Sequence, residues 1–161
     1  MKEVVGQCAL CREKRKLCRS HVVSDLCHDA MFDETHRTLK IAVVDGCAPF
    51  SGLFQSGVWE HVLCDDCEAL LSAHETYFGR IWNRHPVIPD QVVGELVSVK
   101  NLDYGHFKLF HLANLWRAHS SRRSEFASVD LEGHAAAIRE MLLTSNPGTD
   151  QQYPVSGGSC S

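Results

Sequence analysis

The stretches Cys8-Ala9-Leu10-Cys11 and Cys64-Asp65-Asp66-Cys67 each place two thiols three residues apart. Such a pair supplies two ligands from one tight turn, and two pairs complete the tetrahedral shell of a zinc ion. The alternative is four unrelated buried thiols. The double spacing favours the metal, so the sequence predicts a structural Zn2+ site with the ligands Cys8, Cys11, Cys64 and Cys67 and no open position for substrate.

The composition is that of an ordinary globular protein. The chain has 161 residues, of which 44% are hydrophobic and 22% are charged. The first six residues lack the apolar core of a signal peptide, and no apolar run is long enough to span a bilayer. We therefore expect a cytoplasmic protein without a membrane partner, in which eight cysteines are metal ligands and free thiols rather than disulfides.

The charge pattern gives limited support to nucleic-acid binding. A formal net charge of −4 provides no overall field that attracts DNA or RNA. Binding would depend on local basic patches, which are Arg12 to Lys16, Arg80 with Arg84, and Arg117 with Arg122 and Arg123.

The segment between the two cysteine pairs combines helix and strand patterns. Ser24 or Asp25 could cap a helix that ends near Leu39. A strand over Ile41 to Val44, a glycine-rich loop and a second strand over Val58 to Leu63 are predicted to follow.

The remainder of the chain is mainly helical. Apolar residues at helical spacing predict a helix after Cys67, which Pro86 and Pro89 end. A strand over residues 91–102, two helices and a loose tail from Thr144 are predicted beyond it; the helices are Tyr104 to His119 and Glu132 to Leu143.

Taken together, these elements predict an α+β fold. The order of cysteine turn, His-bearing segment, hairpin, cysteine pair and helix is that of a treble clef. We expect a zinc-binding clef over residues 1–85, a helical support region with a short strand over 86–143, and a flexible tail over 144–161.

Three motifs carry a family resemblance. They are Cys8-x-Leu10-Cys11, Leu17-x-x-Ser20-His21-Val22-Val23 and His61-Val62-Leu63-Cys64-Asp65-Asp66-Cys67-Glu68. This pattern resembles the zinc-stabilised branch of the HNH-type (treble-clef, ββα-metal) nucleases. It is also similar to a group of poorly characterised bacterial proteins, which the segment Tyr104 to Arg117 resembles as well.

The resemblance implies a catalytic role for two residues. His21 matches the general base that activates water. Glu68 stands where the family has a His or Asn that binds a divalent ion; it differs from the usual residue, but its carboxylate could hold Mg2+ or Mn2+. The sequence departs from the family pattern elsewhere, because Ser20 stands where a metal-binding Asp or His is usual. No Asn lies near Trp59 or Glu60, where the family has one.

Two functions therefore remain open. The first is metal-dependent hydrolysis of phosphodiesters in DNA or RNA. The second is a catalytically inactive, zinc-stabilised module that binds a protein or nucleic-acid partner. In the second case His21 is a structural histidine or a substitute zinc ligand, and Glu68 complements the helix dipole. Glu75, two turns further along that helix, is expected on a solvated face.

Overall fold

The computed structural model describes residues 3–24, 26, 38–42, 50–54, 57–84 and 102–156. Over these ranges the protein is a mixed structure of three helices and small antiparallel sheets. The helices are α1 (Asp65–Arg84), α2 (Tyr104–Ser120) and α3 (Ala135–Thr144), with two short 3-10 turns at Ser124–Phe126 and Glu132–His134.

The described strands form three two-stranded antiparallel sheets. Each sheet joins two strands: β1 (Val4–Gln7) with β2 (Lys14–Leu17), β3 (Ser20–His21) with β6 (Trp59–Glu60), and β4 (Thr38–Ala42) with β5 (Phe50–Phe54). An isolated bridge between Leu17 and Cys64 joins the first hairpin to the start of α1. The two cysteine turns are therefore connected by backbone pairing.

Helix α1 confirms the helix predicted after the second cysteine pair, and it begins at Asp65. Acidic residues occupy its first turn, where they complement the positive end of the helix dipole. Its buried face contains Leu71, His74 and Phe78, which follow helical spacing. This face packs on α2, where the ring of Phe78 stacks on that of Phe110 with 4.0 Å between centroids.

Helix α2 confirms the predicted helix over Tyr104 to His119 and extends one residue further. Asp103 caps its start, because the carboxylate accepts a hydrogen bond from the backbone N–H of His106 at 3.1 Å. The helix predicted over Glu132 to Leu143 is also present, as a 3-10 turn that leads into α3.

One cluster of buried side chains contains residues from both halves of the chain. Leu10, Leu63 and Leu71 belong to it, together with Leu109 of α2 and Leu142 of α3. The helical half therefore packs directly against the cysteine turns.

Residues 145–156, from the segment predicted to be a tail, contact α2. The ammonium group of the fully buried Lys108 donates a hydrogen bond to the carbonyl of Thr149 at 2.8 Å. Near its end, the N–H of Val155 donates to the hydroxyl of Tyr104 at 2.9 Å.

The prediction between the cysteine pairs is partly wrong. Leu39, the expected helix end, lies in strand β4, and Gly52, expected in a loop, lies in β5 opposite Lys40. The Thr and Ile of β4 and the apolar residues of β5 favour strand. Their preference outweighed that of Gly52 for a loop. The strand predicted over Val58 to Leu63 is limited to β6. Most of the helix predicted before Leu39 and of the strand over residues 91–102 lies outside the described residues.

In the part of the chain that the structure describes, none of the helices combines the length and apolar character required to cross a membrane.

Candidate metal centre

The four predicted zinc ligands come together in one cluster. The sulfur atoms of Cys8, Cys11, Cys64 and Cys67 all lie within 4.8 Å of one another. The Sγ atoms of Cys11 and Cys64 are 3.9 Å apart. Sulfurs bound at about 2.3 Å to a tetrahedral zinc ion lie roughly 3.8 Å from each other. The cluster therefore has the composition and spacing to hold a metal such as zinc.

The backbone of the first turn positions Cys8 and Cys11. The N–H of Cys8 donates to the carbonyl of Glu13 at 2.9 Å, and the N–H of Arg12 donates to the carbonyl of Cys8 at 2.8 Å. Arg12 adopts a left-handed conformation with φ of 65°, which reverses the chain after Cys11.

The second pair lies at the start of α1. Cys64 immediately precedes the helix and Cys67 lies in its first turn. Unpaired N–H groups and the helix dipole favour negative charge there, as a thiolate ligand requires. The N–H of Cys64 also donates to the sulfur of Cys8 at 3.4 Å, which links the two pairs directly.

The pKa values within the cluster differ from one thiol to the next. Burial opposes ionisation of Cys8, but hydrogen bonds from the backbone of Cys64, Cys11 and Leu10 outweigh it and lower its pKa to about 7. Burial raises the pKa of Cys67, and its contacts with the other thiols raise it further. Cys8 therefore ionises more readily than Cys67, whose thiolate needs a nearby cation.

Glu68, the predicted ligand for a catalytic ion, has a partner on each carboxylate oxygen. Oε2 accepts a hydrogen bond from the hydroxyl of Ser20 at 2.8 Å. Oε1 accepts one from the guanidinium of Arg117 at 3.2 Å. Arg117 is 2% exposed and Ser20 is 1% exposed, so both donors lie in the interior. The carboxylate therefore contributes to packing between β3, α1 and α2.

His21, the predicted base, follows Ser20 in β3. Neighbouring residues of a strand direct their side chains to opposite faces. Because Ser20 points towards Glu68, the strand geometry directs His21 to the other face, and its cross-strand partner is Trp59. Arg19 and Trp59 also meet there, with the guanidinium 3.8 Å from the ring centroid. His21 thus lies on β3 opposite Trp59, whereas Glu68 lies in the first turn of α1.

The expectation that Glu75 lies on a solvated face is wrong. Its side chain is 24% exposed and its carboxylate pairs with Arg117. Arg117 therefore bridges Glu68 and Glu75, two turns apart on α1. The sequence suggested only that Arg117 was part of a basic patch. A signal was present, however, because Leu109, Ala113 and Arg117 are spaced four residues apart along α2. This spacing places all three on the buried face of the helix.

Several cations of the predicted basic patches are paired with carboxylates. In addition to the buried Arg117, the ion pairs are Arg15 with Glu13 and Asp66, Lys16 with Glu3, and Arg123 with Glu125. Their charges are thus balanced locally at the surface.

Comparison with known proteins adds no family assignment. No protein-family model matches the chain, and no curated protein or solved structure gives a significant match.

Proposed function

We propose that the chain is a zinc-stabilised treble-clef module that binds a protein partner without catalysing a reaction. The main observation behind this proposal is that both carboxylate oxygens of Glu68 accept hydrogen bonds from buried side chains. One oxygen accepts from Ser20 and the other from Arg117, so a divalent ion approaching this carboxylate would be repelled by the buried guanidinium or would have to displace it. Breaking a buried charge pair is costly, because it leaves an uncompensated charge behind.

The cysteine cluster supports a structural role for the metal. Four thiolates complete the tetrahedral shell of zinc, so a zinc ion bound there has no position for water or substrate. Cys8, Cys64 and Cys67 are each at most 5% exposed. The ion would join the first hairpin to α1 and organise the surface around them.

The charge distribution favours a protein over a nucleic acid as the partner. Phosphate binding depends on free Lys and Arg side chains. Here several cations are already paired with carboxylates, and the net charge is −4. We therefore expect no mobility shift of DNA or RNA at about physiological salt. A shift that weakens steeply with added salt would favour the nucleic-acid partner instead.

Elemental analysis of the purified protein tests the zinc site. We expect one zinc per chain, lost in Cys64→Ser and retained in Cys18→Ser. Cys18 is a matched control, because it lies outside the cluster and its thiol donates to the carbonyl of Leu63 at 3.2 Å, which a serine hydroxyl can also do. Zinc in such small sites stabilises folding by on the order of 10 kcal/mol, so EDTA should unfold the clef. Equal zinc content in both variants would overturn the assignment.

Metal-dependent hydrolysis of DNA or RNA is the second candidate function. One observation favours it: the ribbon of β3 and β6 precedes α1, which is the ββα order of the HNH-type nucleases, and His21 lies in that ribbon. In this alternative His21 activates water and Glu68 binds Mg2+ or Mn2+.

Incubation with plasmid and either ion distinguishes the two functions. We expect no cleavage by wild type or by His21→Ala. Cleavage by wild type that His21→Ala abolishes would establish the nuclease and overturn the non-catalytic proposal. Cleavage by both proteins would indicate a contaminant, and repurification to constant specific activity would remove it.

A further inference from the structure

Two histidines meet in the interface between α1 and α2. The Nδ1 atoms of His74 and His106 are 2.9 Å apart, which is a hydrogen-bond distance. His74 is 3% exposed, whereas His106 is partly exposed. Among the residues that the structure describes, the Nε2 atom of His74 is buried and has no hydrogen-bond partner.

The tautomers of the pair follow from these contacts. A proton must lie between the two Nδ1 atoms, so one histidine donates and the other accepts. If His74 accepted, its own proton would be on Nε2, buried without an acceptor. If His74 donates, Nε2 carries a lone pair, and buried acceptors are left unpaired more readily than buried N–H groups. We therefore assign His74 as the donor and His106 as the acceptor.

Neither remaining nitrogen can take a proton without a penalty. Protonation of Nδ1 of His106 would direct two N–H groups at each other and break the hydrogen bond. Protonation of Nε2 of His74 would create a buried, charged N–H with no acceptor. The compact arrangement is thus compatible with the neutral pair.

The surrounding groups offset only part of the cost of protonating the histidine pair. Asp103 lies at the start of α2 and favours a charged His74, but its Oδ1 already accepts from the N–H of His106. Tyr77 stacks on His106 with 5.0 Å between centroids, and its hydroxyl accepts from the N–H of Asp103. Glu75, next to His74 on α1, is bound to Arg117. Burial lowers the pKa of His74, and the neighbouring His106 lowers it further.

We propose that His74 and His106 form a pH-sensitive joint, which holds α2 against the cysteine-bearing helix α1 while both imidazoles are neutral and opens when the pair is protonated. The inference goes beyond the proposed function and does not depend on the identity of the partner. Acidification would loosen the contact between the helical half and the clef.

The direction of the pH effect follows from proton binding. Unfolded histidine titrates near pH 6.5, whereas burial and the neighbouring His106 lower the pKa of folded His74. Below about pH 6.5 the unfolded chain therefore holds more protons than the folded chain, and stability falls as the pH falls.

Urea unfolding at about pH 7.5 and at about pH 5.5 tests the joint. His106→Asn keeps a polar atom near the position of Nδ1 but cannot ionise. His134→Asn is the matched control, since His134 is exposed. We expect the folding equilibrium constant of wild type and of the control to fall by up to about tenfold more on acidification than that of His106→Asn, corresponding to one pKa unit. Acid effects on the cysteine cluster are common to all three proteins and cancel in this comparison.

Titration of the imidazole resonances of wild type by NMR is the second measurement, and it needs no variant to fold. We expect the imidazole resonance of His74 to titrate below about pH 6.5, the value for unfolded histidine. Titration of His74 at or above that pH, or an equal acid response in wild type and His106→Asn, would overturn the proposal.

Discussion

The carbonyl oxygen of Leu10, in the turn between Cys8 and Cys11, accepts a hydrogen bond from Nε of Arg139 on α3. The two residues are 129 positions apart in the sequence. This contact ties the last described helix to the backbone of the first cysteine turn.

Replacement of Arg139 by Met should therefore destabilise the fold. The substitution keeps an apolar stem but removes the donor, and a lost hydrogen bond to a partly buried group costs about 1–3 kcal/mol. Glu140→Gln, at the next and exposed position of α3, should change the free energy of unfolding by less than about 0.5 kcal/mol. Urea unfolding of both variants measures the difference, and equal stabilities would show that this hydrogen bond contributes nothing.

Removal of the guanidinium that bridges α1 and α2 should have a larger effect. Arg117→Met leaves the carboxylates of Glu68 and Glu75 without their shared partner, at a cost of about 3 kcal/mol. The matched control is Arg123→Met, which removes an exposed pair with Glu125 and should cost at most about 1 kcal/mol. Thermal or urea unfolding provides the measurement. Addition of Glu68→Gln and Glu75→Gln to Arg117→Met should recover part of the loss; a further loss would contradict the role of unpaired charge.

Two leucines on helices provide a test of the shared core. Leu142 is 0% exposed and belongs to the cluster around the cysteine turns, whereas Leu115 is 42% exposed. Leu142→Ala should cost about 2–5 kcal/mol through lost burial and a cavity. Leu115→Ala should change stability by less than about 1 kcal/mol. Comparable losses in the two variants would show that Leu142 is not part of a close-packed core.

His111 should add its own acid sensitivity. Burial lowers its pKa, its Nε2 has no hydrogen-bond partner, and its ring is packed among Phe78, Phe107 and Phe110. Because the folded pKa lies below the unfolded one, stability is lost as the pH falls below about 6.5. His111→Phe keeps the ring contacts and cannot bind a proton, so it should lose less stability in acid than wild type. Unfolding curves over the range from neutral to mildly acidic pH check this, and an unchanged pH dependence would contradict it.

Replacement by alanine should change stability in opposite directions at two glycines. Gly148 has φ of +64°, and an added Cβ would lie 2.5 Å from Oε1 of Gln152 and 2.9 Å from Cε of Met141. Gly133 has open space at the same position. Gly148→Ala should cost more than about 1 kcal/mol, while Gly133→Ala should be neutral or stabilising by up to about 1 kcal/mol. Melting temperatures of the two variants measure the contrast, and its reversal would exclude this conformation at Gly148.

The four-cysteine cluster and the helices were predictable because their signals are local. The spacing of Cys8 with Cys11 and of Cys64 with Cys67 reflects the geometry of one turn. The limits of α2 follow from a cap at Asp103 and from apolar periodicity.

The partners of Glu68 and Glu75 were not predictable in the same way. Arg117 is 49 residues from Glu68, and only the packing of α1 on α2 brings the two together. A charged residue at a buried helical position indicates that a partner is needed, but not which one. For β4 and β5, Gly52 indicated a loop, whereas strand pairing depends on the partner strand.

The contact between the first cysteine turn and α3 also has a consequence for synthesis on the ribosome. A chain that emerges from its N-terminus exposes Leu10 long before Ile138 and Leu142 exist to cover it. The two cysteine pairs can capture a metal as soon as Cys67 has emerged, yet the apolar surface beside them stays open until α3 has left the exit tunnel. The nascent chain thus passes through a state in which the paired cysteine turns lie beside an uncovered hydrophobic surface.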